Sequence, residues 1–567
     1  MPTKKKKILF IIPPYSTSAA LFTRLFPMPF AAVSLAAILR DTGKYEVTIK
    51  DFLVPWQQHP EMRPFSFEGK NLPPFRRYGQ TNEMITHWFA ENIQEFDAVG
   101  LCTCQCNIID SIRYISVLVK GYGKPLVIGG PAASTLTDKM LKITCADVCV
   151  VGEGELVVDE AFTKALGIKI KQKSIRLTEN PVVIHGKCVT ELDKLPLPAW
   201  DLARPENYPK SDGKLRGILA VSRGCPWACK FCSVHTIMGR NHRRMKQKRI
   251  AEHLLHLARF GVKFFTFIDD NLFINKKAVD DVMGAIDKAE KVMPKHFKAS
   301  KFYSEEGVEV RVAAEEGIIE RVSKRFVYIA LGLESINSKR IEAMQKPFNL
   351  GHFKRALTNF RRAKVTPRVF YLIGLPGDTA KSVAEDIVRL GRLCVDVRQN
   401  NVQILPGTQL HKQYLEEGII NKTYDWRLSA SYTVPYPKSG LTSKLIRQFR
   451  SILGAIGTAA SELDIAITKD SLEEIVSKLE KKYFVQYFVL EHNGYLDSMY
   501  VSGNMFNSSS LKHILEIIMI RFSPPEYKGA KVKLVKKENK MFVESIMYPS
   551  TAAQEYISEV LKRERHY

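Results

Sequence analysis

Three cysteines in one short stretch carry the most chemistry. The segment "SRGCPWACKFCSVH" supplies Cys225, Cys229 and Cys232, directly after a run that reads as a strand. Iron–sulfur clusters are normally held by four cysteine thiolates. A set of three leaves one iron open to a substrate or cofactor. Zinc is the competing occupant, because His235 follows Cys232 closely and Cys3His is a common structural zinc set. The loop alone leaves iron–sulfur and zinc equally open.

The elements that would position this loop form an alternating series. Strands are expected at Gly217–Val221, Phe264–Ile268, His296–Phe302, Val327–Leu331, Arg368–Ile373 and Asn401–Leu405, with helices between. Such βα repeats, with chemistry after the strand ends, follow the logic of a partial barrel. An earlier series places strands at Ile8–Ile12, Glu46–Asp51, Ala98–Cys102, Pro125–Ile128 and Val148–Val151. Helical patterns at Ala31–Arg40, Asn82–Ile93, Ile109–Lys120 and Thr137–Ile143 separate them. This alternation predicts a parallel sheet covered by helices on both faces. Its tight turns "GLCTCQC", "IGGPAAS" and "VGEGE" follow strands, where open sheets bind ligands. The proline-rich "LDKLPLPAWDLARPENYPK" reads as a connector. Beyond about Asp425 the pattern changes to helices at 443–460, 471–481 and 511–521, strand-like runs and a hairpin in "KVKLVKKENKMFVESIMY". No chemical motif stands out there.

Composition narrows the class. In 567 residues, 45% hydrophobic and 25% charged side chains are ordinary for globular domains and exclude a disordered or fibrous chain. No window approaches the roughly 18 apolar residues of a membrane-spanning helix. The short apolar stretch after "MPTKKKK" meets Pro13 and Pro14 too early for a secretory leader, so the cytoplasm is expected. Ten cysteines in so long a chain do not form a disulfide scaffold. The formal charge of +25, with basic runs at Lys4–Lys7, Arg240–Arg249, Lys354–Arg368 and Lys528–Lys537, is compatible with a solvated surface, an anionic substrate or peripheral contact with an acidic membrane.

The order of several segments resembles the radical S-adenosylmethionine (SAM) superfamily. The loop has the CxxxCxxC pattern with Phe231 before the third cysteine. "FTFIDDNLFIN", "ALGLESINSKRIEAMQK", "FYLIGLPGDT" and "ILPGTQLHKQYLEEGII" are similar to the ends of the second, fourth, fifth and sixth barrel strands. "IIPPY", "AAVSLAAILRDTG", "VIGGPAAS", "VGEGE" and "LPLPAWDL" resemble the subgroup with an N-terminal cobalamin-binding domain. The likeness runs over residues 5–430 and favours iron–sulfur over zinc.

The resemblance implies an α/β chain. It would comprise a Rossmann-like cobalamin-binding sheet domain (1–170), a connector (171–212), a radical SAM partial (β/α)6 barrel (213–425) and a small α/β or α+β C-terminal substrate or lid domain (426–567). Cys225, Cys229 and Cys232 would hold a 4Fe–4S cluster whose open iron chelates SAM. Phe231, Asp269, Asp270, Glu334, Ser335 and Gly374 would contact SAM. One electron would cleave SAM to methionine and a 5′-deoxyadenosyl radical. Local turn and capping roles compete for three of these sites. Asp269–Asp270–Asn271 could form a turn with a helix N-cap, Glu334–Ser335 could cap the helix near Asn337, and Gly374 with Pro376 and Gly377 could be turn chemistry only.

Cobalamin contacts are expected at Thr103, Gly129, Gly130, Gly152, Glu153 and Gly154. The family's "DxHxxG" is missing, which implies a corrin without a protein histidine on cobalt, or a domain that has lost the ligand. Cys102, Cys104 and Cys106 would share one strand face, as buried small residues or a second metal site. The implied reaction is cobalamin-dependent methylation of an unactivated carbon, with cyclisation or rearrangement as the alternative. A zinc-stabilised nucleic-acid binder is the third reading, but "RNHRRMKQKR" lacks the interleaved aromatics it would need. The partners implied are a small-molecule, lipid-like or peptide substrate and an electron donor such as flavodoxin or ferredoxin; nucleic acid is not expected. No residue stands out as acid, base or nucleophile.

Overall fold

The computed structural model describes residues 4–17, 28–54, 58–67, 70–104, 108–168, 180–208, 210, 213–304, 307–393 and 395–426, a few positions between 441 and 449, and the strands at 485–492, 495–503, 531–537 and 540–547. The chain divides into two compact units: Met1–Leu272, Lys277–Glu306 and Gln403–Thr433 form one, and Phe273–Lys276, Gly307–Val402 and Val434–Tyr567 the other.

In the first unit, β1 (Lys6–Ile12), β2 (Tyr45–Asp51), β3 (Ala98–Cys102), β4 (Leu126–Gly129), β5 (Val148–Gly152) and β6 (Val182–Gly186) form one sheet in the order β2-β1-β3-β4-β5-β6. Every pairing is parallel. Successive strand residues point to opposite faces. Ile8, Phe10, Ala98, Val127 and Val148 therefore pack under the helices Phe30–Asp41 and Val158–Gly167. Leu9, Ile11, Val99, Leu101, Leu126 and Ile128 pack on the other face with Asn82–Asn92 and Ile109–Gly121. Burial on both faces explains the unbroken apolar runs of the strands. The order reverses between β1 and β3, which makes that crevice the topological switch point.

Strand β6 lies within the span expected as a connector, 171–212, and belongs instead to the sheet. It is an edge strand in which only Ile184 is buried, so it lacks a two-sided apolar pattern. A proline-containing antiparallel pair, Gln58–Phe67 with Lys70–Tyr78, was also not foreseen, because prolines argue against strands.

The first unit also contains β7 (Arg216–Leu219), β8 (Phe264–Phe267) and β9 (Lys301–Ser304), paired in parallel. The second contains β10 (Ala330–Glu334), β11 (Arg368–Ile373) and β12 (Asp396–Asn401), again parallel. Two expected strands are displaced. A short helix opened by Pro294, Pro294–Lys298, runs into the start of the strand expected at 296–302, and β9 begins only at Lys301. The strand expected at 401–405 lies earlier, over Asp396–Asn401, where its polar "RQNN" hides the pattern. In the tail, Lys531–Lys537 and Lys540–Met547 form the expected antiparallel hairpin, joined by Val485–His492 and Tyr495–Gly503 into a four-stranded sheet. The helices expected at 443–460, 471–481 and 511–521 lie outside the described residues, apart from a few positions of the first. No described helix is long and apolar enough to cross a membrane.

Candidate functional site

The cysteine loop leaves β7 through Val221 and is closed at its base by a two-residue antiparallel bridge, Ser222↔Arg244 and Arg223↔Arg243. Gly224 opens it at φ +80°, where a Cβ would stand 2.5 Å from Asn241 O and 3.0 Å from Gly239 O. Only glycine fits this crossing. Cys225 N then donates to Gly239 O at 3.3 Å and Cys232 N to Cys229 O at 3.1 Å, before the turn of helix Val234–Ile237. All three cysteines are partly buried. Burial pushes the Cys232 thiol up to about 12, and Cys229, Asp270 and Cys225 add to the rise. These groups are thus within electrostatic reach of one another, and their thiolates would be stabilised by a cationic inorganic centre. Among the described residues, no three His, Cys, Asp or Glu side chains converge as the ligands of a single metal ion would.

The end of β8 faces this loop. Asp269 is buried, and its Oδ1 accepts from Val221 N at 2.9 Å, Ser222 Oγ at 2.6 Å and Ser222 N. It therefore braces the chain entering the cysteine loop rather than capping a helix. Its Oδ2 is buried without a hydrogen-bond partner among the described residues, and burial pushes the carboxyl up to about 7. Asp270 is exposed beside it. Asn271, expected only as part of a turn, donates from Nδ2 to Cys225 Sγ at 3.8 Å, and its carbonyl lies 3.1 Å from His242 Nε2. The donor set, the orphaned Asp269 oxygen and the amide on Cys225 fit a thiolate-bound cluster with a polar cofactor beside it. Phe231 lies within the same loop.

In the second unit, Glu334 ends β10 at a register shift with φ +61°, a left-handed conformation that is costly for a side chain of this size. Its Oε1 lies 3.4 Å from Lys346 Nζ. Asn337, not Glu334 or Ser335, caps the helix Ser338–Ala343. Ser335 Oγ accepts from Asn337 N at 3.1 Å and donates to Asp386 at 3.4 Å. Gly374, at φ +92°, donates its N–H to Asp378 Oδ2 at 2.8 Å. A buried network supports both turns: Arg340 pairs with Asp378 and, at 2.7 Å, with Asp386, which also accepts from Tyr371 OH at 2.9 Å. Sequence reasoning missed this network, because Arg340 and Asp386 sit within ordinary amphipathic helices.

The expected corrin contacts lie at strand ends, but most have work inside the fold. Thr103 is fully buried; its Oγ1 donates to Gly129 O at 2.9 Å and accepts from Ala133 N at 3.0 Å. Gly130, at φ +116°, packs where a Cβ would meet Thr103 O at 3.0 Å, and a Cβ on Gly152 would meet Gly186 O at 2.8 Å. A Cβ on Gly129 would make only ordinary contact with Val150, whereas one on Gly154 would press on the Leu35 side chain at 3.3 Å. Glu153 is buried and committed to two arginines, Arg223 and Arg243. No histidine occurs among the described residues of the turns after β1, β3, β4 and β5. Cys102 is desolvated and pushed up to about 12, Cys104 is exposed, and Cys106 lies outside the described residues.

The chain is 24% identical over 522 residues to an uncharacterized methyltransferase of Pyrococcus horikoshii, covering 88% of this chain and 98% of that one. It is 22% identical to bacteriochlorophyllide d C-8(2)-methyltransferase of Chlorobaculum tepidum, over 61% and 74% of the two chains. Its fold is shared with the radical S-adenosylmethionine methyltransferase TsrM of Kitasatospora setae, solved with tryptophan and a SAM analogue, at a TM-score of 0.54 and 15% identity over 73% of this chain and 76% of that one. Residues 219–390, from the end of β7 through the cysteine loop to the helix that carries Asp386, match the Radical SAM superfamily, and through this domain the chain is a radical SAM enzyme that uses a 4Fe–4S cluster and SAM.

Proposed function

We propose that the chain methylates an unactivated carbon of a small molecule by cobalamin-dependent radical SAM chemistry. The observation that carries this reading is the closed loop of Cys225, Cys229 and Cys232, set against Asp269 and Asn271 in the same unit as a parallel sheet of flavodoxin-like strand order. Bound to the three thiolates, a 4Fe–4S cluster would supply the electron that splits SAM into methionine and a 5′-deoxyadenosyl radical. The chain's own residues hold and orient. Gly224 and the Ser222–Arg244 bridge fix the loop, Asp269 locks its entry, and Asn271 hydrogen-bonds a ligand sulfur. Phe231, Asp270, Glu334, Ser335 and Gly374 are assigned to SAM, with the strained backbone of Glu334 as the feature that favours its role.

The sheet supports a corrin through its switch point between β1 and β3, with Thr103, Gly129, Gly130, Gly152 and Gly154 lining the turns. Cobalamin would supply the methyl-carrying cobalt there, without a histidine from these turns as lower ligand. The methyltransferase names of the relatives point the same way. A cytoplasmic location and a flavodoxin- or ferredoxin-type electron donor complete the proposal. The test is anaerobic purification from cells supplied with cobalamin, with iron, cobalt and zinc measured per chain and products examined for a new methyl group. Iron near four and cobalt near one support it. Iron without cobalt removes the methyl-transfer reading, and zinc in place of iron overturns the whole.

A further inference from the structure

We propose that Glu153 is a positioning residue that fixes the cysteine loop to the N-terminal sheet, rather than a corrin contact; this rests on the reading of Cys225, Cys229 and Cys232 as cluster ligands. Glu153 follows β5, and its side chain is 2% exposed. Its Oε1 accepts from Arg243 Nη2 at 2.5 Å. Its Oε2 accepts from Arg243 Nη1 at 3.0 Å, Arg223 Nη1 at 3.2 Å and Val189 N at 2.8 Å. Arg223 and Arg243 are the facing pair in the bridge that closes the loop. Arg223 also reaches Glu155 at 2.5 Å, so the buried Arg243 and the partly buried Arg223 are balanced by the buried Glu153 and the partly buried Glu155.

Arg243 extends the clamp into the loop, donating from Nη2 to Met238 O and from Nη1 to Val189 O, each at 2.7 Å. The next residue, Gly239, accepts the N–H of Cys225. A short chain of contacts thus runs from the end of β5 to the first cysteine. Burial pushes the Glu153 carboxyl up, but Arg243 and Arg223 hold it below its ordinary value, so it stays ionised at neutral pH. With both oxygens occupied, it has little left to offer a ligand.

The experiment compares the unaltered chain with Glu153→Gln and Arg243→Lys. Hydrogen exchange over residues 222–244 is measured without a cluster, and the reduced chain's electron paramagnetic resonance signal is recorded with and without SAM. Both variants are expected to exchange faster in this segment, to alter the SAM-dependent signal and to slow SAM cleavage about 10–100-fold, the usual cost of losing an outer partner of a metal ligand. Unchanged exchange and spectra in Glu153→Gln overturn the proposal. Lost corrin binding with an unchanged loop also overturns it and restores direct contact. If Glu153→Gln does not fold, Arg223→Lys is read in the same way. A chain that binds no iron defeats the functional reading, while the exchange data still decide the joint.

Discussion

The side-chain amide of Asn271 donates to the Sγ of Cys225 over 3.8 Å, joining the end of β8 to the first cysteine of the loop. Hydrogen bonds to cluster sulfurs tune reduction potential, and an N–H donor stabilises the more negative, reduced state. A net hydrogen bond of about 1 kcal/mol corresponds to about 40 mV for one electron. Asn271→Ala should therefore retain its iron but lower the cluster potential by about that amount. A redox titration followed by electron paramagnetic resonance reads the shift, and an unchanged potential removes Asn271 from this role.

Gly224→Ala should be far more disruptive. Its Cβ would meet Asn241 O at 2.5 Å in a backbone conformation unfavourable to side chains. The strain alone costs about 1–3 kcal/mol, and relieving it requires opening the loop at its base. Iron per chain should fall well below that of the unaltered protein. Gly377→Ala is the comparison, because it is also at positive φ but has open space around its Cβ position.

The cysteine loop was legible because its chemistry is local: three thiols within eight residues, following an apolar strand. The parallel sheet was legible because burial on both faces writes continuous apolar runs. Strand β6 was not, since an edge strand with one buried side chain leaves little pattern. The Glu153–Arg243 pair spans 90 residues, and nothing in "VGEGE" or "RNHRRMKQKR" says that one balances the other. Glu153 looked like a ligand contact because it follows a strand. The basic run looked like surface, although Arg243 is buried by its partners.

Arg340 should prove the most sensitive residue of the second unit. It is buried between Asp378 and Asp386, and burial pushes Asp386 up to about 6 against the pull of Arg340. Removing one member of a buried pair leaves its partners uncompensated and costs about 3–5 kcal/mol. Arg340→Met should show a loss of that size in denaturant unfolding. It should also loosen the Gly374–Leu375 turn, whose two N–H groups rest on Asp378. Replacing the exposed Arg362, which pairs with Glu316 at the surface, should change stability by less than about 1 kcal/mol.

Acid should weaken the first unit through His253. This side chain is 4% exposed on the helix Gln247–Arg259, and its Nε2 has no hydrogen-bond partner among the described residues. Burial, with Arg249 and His256 nearby, holds it down to about 3. The folded chain therefore keeps it neutral, while the unfolded chain protonates it below an ordinary value of about 6.5. Between these values the unfolded state binds the extra proton, so stability present above pH 6.5 is lost as the pH falls. By pH 5 the loss is about 2 kcal/mol, from roughly one and a half pH units at 1.36 kcal/mol each. His253→Leu should flatten this part of the stability profile. The measurement is unfolding free energy between pH 7 and 5 for both chains, and equal slopes would mean that the imidazole finds a proton acceptor when it charges.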